Sequence, residues 1–257
     1  MRLPDDKLLL FVYIKGMRIF ILFLLLNVCP AFLWAENIPE WLVPLRDAIY
    51  EQKLNVSQVE PLYQAAKKTA NDNLKGAELD AALSRCEYFM GRALHYDKQN
   101  DSAISHYSEG MALAKKAISE KPSCEAWLIL GENLSQSCSL RSWAFTLANG
   151  LDVGRHAEKA LGFNKRNAAA QYLIAARWVY APAAFADIPK GLEMMKKILV
   201  ESDPDRDDLF NVYYSIAYSY VNQKVKNLPE ARSWIIKALK IYPSNKAAQE
   251  LFDQTKG

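Results

Sequence analysis

The stretch from Pro229 to Asn245, PEARSWIIKALKIYPSN, decides the fold of this chain. Ala231, Ile235 and Ala238 stand four and three apart, so they share one face of a helix, and Pro243 stops that helix. Just upstream, Tyr213, Ile216, Ala217 and Tyr220 fall at i, i+3, i+4 and i+7, the spacing of a second helical face. Two helices that cross need this pattern: the small residue lets the backbones approach and the large ones fill the space beside it.

The same pattern recurs three times upstream. Ile174, Ala175 and Trp178 precede Gly191, Met195 and Ile198, with Asp203 and Pro204 as the stop. Trp127, Leu130, Gly131 and Leu134 precede Ala157, Ala160 and Leu161. Met90, Gly91 and Leu94 precede Ala103, Tyr107 and Gly110. The recurrence predicts an all-α chain of stacked helix pairs.

These positions resemble the tetratricopeptide repeat (TPR), a helix-turn-helix unit of about 34 residues. The strings EAWLILGENL (Glu125 to Leu134) and PEARSWIIKALKIYPSN carry the resemblance best, and it covers Leu83 to Asn245. It implies a right-handed α-solenoid with four degenerate repeats over 77–244. The pattern departs in four places. The second helix of the first repeat runs on through Lys121, and Gln136 to Leu151 lengthens the second repeat. Tyr180 to Pro189 lengthens the turn of the third, and Lys224 to Leu228 that of the fourth.

The flanks extend the solenoid. Trp41, Leu42, Leu45, Ala48 and Ile49, then Val59, Leu62, Tyr63, Ala66 and Ala70, read as an N-terminal helical pair within 36–76, with the break and N-cap at Asn55 to Ser57. Ala247, Ala248, Leu251 and Phe252 read as a capping helix within 245–257, which covers the apolar face of the last repeat.

Arg18, the apolar run Ile19 to Leu26, Pro30 and Ala35 before Glu36 have the three regions of a secretory signal, with cleavage expected after Ala35. Met17 offers a second start. An uncleaved anchor through Trp34 and lipidation at Cys29 are the alternatives; Val28 is bulky for a lipobox. The chain is therefore expected to be exported to a periplasm or cell envelope, with membrane contact only through this segment. Beyond Ala35, 28 basic residues face 27 acidic ones, a balance that argues against nucleic acid as a partner.

No catalytic, metal or cofactor motif is present: there is no GxSxG, P-loop, GxGxxG or HExxH. His95, His106 and His156 show no ligand spacing, and the acidic run Asp203 to Asp208 lacks that of a calcium loop. Cys86, Cys124 and Cys138 form no CxxC pair. Cys124 and Cys138 are about 21 Å apart on one helix, too far to bridge; Cys86 and Cys124 lie near the starts of neighbouring helices. The chain is expected to be no enzyme and to carry no cofactor.

The resemblance implies that the first helix of each repeat lines a concave groove. By register the inward positions are Arg85, Tyr88, Arg92, His95 and Tyr96 in the first repeat and Glu125, Leu128, Glu132 and Gln136 in the second. The third supplies Tyr172, Val179 and Tyr180, and the fourth Asn211, Tyr214, Tyr218 and Asn222. Six of these are tyrosines, suited to an extended peptide because each ring offers apolar area and a hydroxyl at low entropic cost; packing between repeats is the alternative use. The Lys/Asn carboxylate clamp of chaperone-binding members is missing, yet Arg85 and Arg92, seven apart, share a face that suits an acid. In the Tyr180 to Pro189 turn, Pro182 and Pro189 hold Phe185 either over the groove or against a partner, or tuck it under the loop as a plug. Within Ser137 to Asn149, Leu140, Trp143, Ala144 and Leu147 suggest an added turn or short helix narrowing one end of the groove.

The expected function is thus that of a non-catalytic scaffold of the bacterial envelope that binds a protein or peptide segment. A second expectation, from the same kind of resemblance, is a periplasmic helical-repeat partner of TRAP-transporter solute-binding proteins that handles a small apolar ligand.

Overall fold

A computed structural model describes residues 38–182 and 184–256. The expected signal segment, with the readings of cleavage after Ala35, a start at Met17 and lipidation at Cys29, lies outside the described residues.

Among the described residues there are eleven α-helices and no strand. A 3-10 turn, Glu40–Leu42, leads into α1 (Val43–Glu51), followed by α2 (Val56–Asn73), α3 (Gly76–Tyr96), α4 (Asn100–Glu120), α5 (Cys124–Leu140) and α6 (Trp143–Phe163). Then come α7 (Ala168–Tyr180), α8 (Ile188–Glu201), α9 (Arg206–Asn222), α10 (Leu228–Ile241) and α11 (Lys246–Gln254). Helix starts follow local chemistry. The side chains of Asn55, Ser123, Ser142, Asn167, Asp187, Asp205, Asn227 and Asn245 each accept from a backbone N–H of the first turn, which would otherwise lack a partner.

α3 and α4, α5 and α6, α7 and α8, and α9 and α10 pack as antiparallel pairs. The first helices α3, α5, α7 and α9 also pack against one another in order, so they form the inner layer of the superhelix and the second helices its outer layer. The small residues of the repeat pattern sit where the helices touch. Ala231, Ile235 and Ala238 are fully buried, as are Met195 and Ala157. Gly91 faces Tyr107 so closely that an added Cβ would lie 2.5 Å from the Tyr107 ring, and Tyr107 itself is fully buried. At Gly191 an added Cβ would meet Val179 at 2.6 Å.

The stretch Ser137 to Asn149 adds no separate helix. α5 continues to Leu140, the chain turns at Arg141 and Ser142, and α6 starts at Trp143 and runs 21 residues. The Ser142 hydroxyl caps α6, so the apolar residues read as a short insert simply extend an existing helix.

The N-terminal helix joins the two ends of the array. Beyond packing on α2 and α3, α1 meets the last repeat through a dense polar and aromatic seam. Asn211 Nδ2 donates to Tyr50 Oη at 2.9 Å and Asn245 Nδ2 to the Tyr50 carbonyl at 2.8 Å. Ser244 Oγ donates to the Glu51 carbonyl at 2.7 Å, and the Lys246 N–H to Gln52 Oε1 at 2.9 Å. Arg206 pairs with Asp47, while Arg46, with no exposed side-chain surface, lies 3.3 Å from Asp207. Tyr50 stacks on Tyr242 with centroids 5.0 Å apart, and Phe210 meets both rings edge-on. The concave face is therefore the inside of a closed turn of superhelix, with α1 as its clasp.

Burial pushes the Asp207 carboxyl up to about 7, against the pull of Arg46 and the Tyr242 hydroxyl. A folded pKa above the ordinary carboxylate value near 4 means that the folded state holds the extra proton, so this stability is full below that value and is lost as pH rises through 7. Asp207→Asn removes the titration. Relative to the natural chain, the Tm of the variant is expected to improve between pH 5 and pH 8, read as the difference in Tm in scans at matched ionic strength.

Candidate functional site

The inner face of the closed turn is paved with tyrosine. Tyr50 comes from α1, Tyr88 and Tyr96 from α3, Tyr172 and Tyr180 from α7, and Tyr214 and Tyr218 from α9. Tyr180 and Tyr218 rings lie 5.0 Å apart, and Tyr214 bridges Tyr218 and Phe210 at 6.4 and 6.3 Å. The Ser215 hydroxyl sits between two phenols, 2.7 Å from Tyr180 Oη and 3.2 Å from Tyr172 Oη. Tyr50 links the first repeat to the fourth on this face, lying 4.6 Å from the Arg92 guanidinium and accepting from Asn211.

The rings divide by exposure. Tyr96 and Tyr180 are 43 and 40 % exposed, so each presents a face to the recess. Tyr88 is buried, packed on Phe89 and Tyr107 and beneath the guanidinium groups of Arg85 and Arg92. Burial raises the Tyr172 phenol and pushes that of Tyr214 up to about 12, so both hydroxyls stay protonated and able to donate.

The two arginines of α3 have different fates. Arg85 is buried and pairs with Glu125 at 2.8 Å and with Glu132. Burial raises the Glu132 carboxyl despite that pairing. Arg85 is thus neutralised within the fold and does not offer its charge to an acid. Arg92 instead lies over three rings, 4.6 Å from the centroid of Tyr50, 5.5 Å from that of Tyr96 and 5.7 Å from that of Tyr88. It donates to the Tyr96 hydroxyl.

Other residues expected on this face have different places. Leu128 is buried with Leu134, Val153 and Leu173 in the interior between repeats, because its position on α5 points along the stacking axis. Val179 is likewise core, against Gly191. Asn211 is spent on the Tyr50 clasp, and the Asn222 amide is tied to the Tyr218 carbonyl of its own helix. His95 stacks on Tyr96, and burial with the nearby Arg92 charge lowers the pKa of its imidazole. Phe185 is 55 % exposed, so it is not tucked under its loop as a plug, and it lies 6.0 Å from Trp143 at the start of α6.

Tyr50 and Ser215 escaped the sequence reading. Tyr50 lies outside the repeat register, and only the long-range clasp brings it to the recess. Ser215 falls between two register positions, and no spacing rule marks it.

A cleft of about 320 Å³ lies between the Ile38 to Leu42 segment and the first half of α3, sharing Arg85 and Glu125 with the inner face. Its charged groups are already paired, Arg85 with Glu125 and Lys121 with Glu78 at 3.5 Å, so it offers a ligand little. Among the described residues no three His, Cys, Asp or Glu side chains converge as metal ligands would, and Cys86, Cys124 and Cys138 are unbridged.

The comparison with solved structures decides the fold. The thermophilic TPR protein TTC0263 of Thermus thermophilus superposes with a TM-score of 0.55, covering 84 % of this chain and 98 % of its own at 14 % identity. This is a tetratricopeptide-repeat fold. At that identity the likeness speaks to architecture alone, and the TPR solenoid accounts for the stacked helix pairs and for the inner layer of first helices. No protein-family model and no curated protein matches the sequence.

Proposed function

We propose that this chain is a non-catalytic TPR scaffold of the bacterial cell envelope that holds a protein or peptide segment in its tyrosine-lined recess. The observation that carries this reading is the convergence of tyrosines from α1, α3, α7 and α9 on one concave surface, with Tyr96 and Tyr180 open to an occupant. Rings with only two side-chain torsions give large apolar contact at low entropic cost, and their hydroxyls satisfy the polar backbone of a bound segment. Export rests on the signal-like segment from Arg18 to Ala35.

The clasp formed by α1 favours a second reading beside the first. A closed turn admits a chain end, a short segment or a small apolar molecule more readily than a long peptide crossing an open groove. That geometry suits a TRAP-transporter-associated protein that docks a solute-binding protein and takes its ligand.

Affinity capture from native envelope extract tests both. The chain from Glu36 is compared with a Tyr96→Ala, Tyr180→Ala, Tyr214→Ala variant of unchanged helicity by circular dichroism. A protein retained by the first and lost by the second supports the scaffold reading. Equal recovery removes the recess as its binding site. A small apolar molecule released from the natural chain alone, seen by native mass spectrometry, supports the second reading.

A further inference from the structure

Arg92 stands out within the recess. Among the described residues no carboxylate lies within 4.0 Å of its guanidinium, and the Tyr96 hydroxyl alone accepts from it. The two acids of this face that face α3, Glu125 and Glu132, are both taken by Arg85. The Tyr50, Tyr88 and Tyr96 rings surround the guanidinium, and apart from the Nη2–H given to Tyr96 Oη its N–H donors make no hydrogen bond among the described residues.

Contact with three rings and the bond to Tyr96 restrict the fork without neutralising its charge. A guanidinium held this way is preorganised for a planar, bidentate acceptor, because little rotamer entropy remains to be lost on binding. Beyond it the recess continues as the rings of Tyr172, Tyr180, Tyr214 and Tyr218, which offer apolar area and not a second cation. The occupant that matches this polarity has one anionic planar head and an apolar or aromatic body.

We infer that the recess binds a carboxylate, with the acid group seated on the Arg92 fork and an apolar body lying against the α7 and α9 tyrosines. This rests on the proposed role of the recess as the binding site and names the chemistry that the site recognises. The carboxylate is supplied by a free apolar acid or by the C-terminus of a protein segment. Both present the same head group, and the closed turn accommodates either.

Isothermal titration of the chain from Glu36 tests the inference with two probe pairs. The first is 3-phenylpropionate against 3-phenylpropionamide; the second is the peptide N-acetyl-Ala-Ala-Leu-Phe as its free acid against its C-terminal amide. At least one acid is expected to bind, and its amide about 10-fold to 100-fold more weakly, the worth of a charge-assisted hydrogen-bond pair. In Arg92→Met that preference disappears, while in Arg92→Lys, which keeps the charge but not the fork, it falls to an intermediate value. Because Arg92 also packs on three rings, both variants are first matched to the natural chain by circular dichroism and Tm. Should Arg92→Met fail to fold, the Lys variant carries the comparison.

Binding of the small acid alone identifies a free acid as the source, and binding of the peptide acid alone a C-terminus. Equal binding of acid and amide by the natural chain overturns the carboxylate inference and leaves the recess reading standing. Acid preference that survives in both Arg92 variants, or no binding by either acid, overturns it as well, and the capture experiment with the tyrosine variant then decides the recess reading independently.

Discussion

Tyr242→Ala is expected to lower stability by about 3–5 kcal/mol, the range for truncating a buried aromatic. Tyr242 has no exposed surface and closes the clasp on three sides. It stacks on Tyr50 at 5.0 Å, meets Phe210 edge-on at 5.2 Å, and carries the Arg206 guanidinium 4.9 Å from its centroid. Its hydroxyl donates to Asp207. The alanine variant loses the ring contacts and leaves a buried carboxylate short of a donor. Tyr242→Phe keeps the rings and loses only that hydrogen bond, so it is expected to cost about 1–2 kcal/mol. Urea denaturation measures both. A loss below about 1 kcal/mol for the alanine variant would show that α1 is not held to the last repeat as described. Release of the clasp also exposes α1, which proteolysis near Gln52 and Lys53 would reveal as faster cleavage in Tyr242→Ala than in Tyr242→Phe.

Glu87→Ala is expected to cost about 2–4 kcal/mol, because it strands several donors at once. Glu87 is buried where α2, α3 and α4 meet. Its carboxylate accepts from the Tyr63 hydroxyl at 2.6 Å and from Lys67 at 2.9 Å, and His106 Nδ1 lies 2.6 Å away. Lys67 and His106 are partly exposed and regain water when the acid is gone, which keeps the loss below that of a fully enclosed pair. Burial alone would raise the Glu87 pKa, but donation by His106, Tyr63 and Lys67 outweighs it and the net shift is downward. A lowered folded pKa gives stability that is present above the ordinary carboxylate value near 4 and is lost as pH falls through the folded value. The Tm gap between the natural chain and Glu87→Gln should therefore be widest near neutrality and narrow below pH 4. A gap that stays constant into acid would remove Glu87 from the acid response.

The fold was legible because its determinants are local. Ala231, Ile235 and Ala238 mark a buried helical face by spacing alone, and all three are fully buried. Asn55, Asp205 and Asn245 start helices through hydrogen bonds to residues three positions on, a range that sequence displays directly. The tyrosines of the recess were legible for the same reason, since register assigns a helical residue to a face. Register does not say how deep a side chain lies on that face. Leu128 and Tyr88 satisfied the spacing and are buried, because neighbouring helices cover part of each inner surface.

Sequence by itself determined the helical repeat and the tyrosine-rich character of the first helices, since these depend on residues a few positions apart; it misplaced the start of α6, which runs from Trp143 through the stretch read as an insertion. Tertiary structure alone decided which arginine of α3 is paired with acids and which is not. Arg85 and Arg92 are equivalent by spacing, but the partners that neutralise Arg85 lie 40 and 47 residues away, and the Tyr50 ring that orients Arg92 arrives on a helix outside the repeats. The clasp between α1 and the last repeat joins residues far apart in the chain, such as Tyr50 and Asn211, 161 positions away. Pairings of that range follow from how far the superhelix turns per repeat, a sum of many small packing angles that no single stretch of sequence encodes.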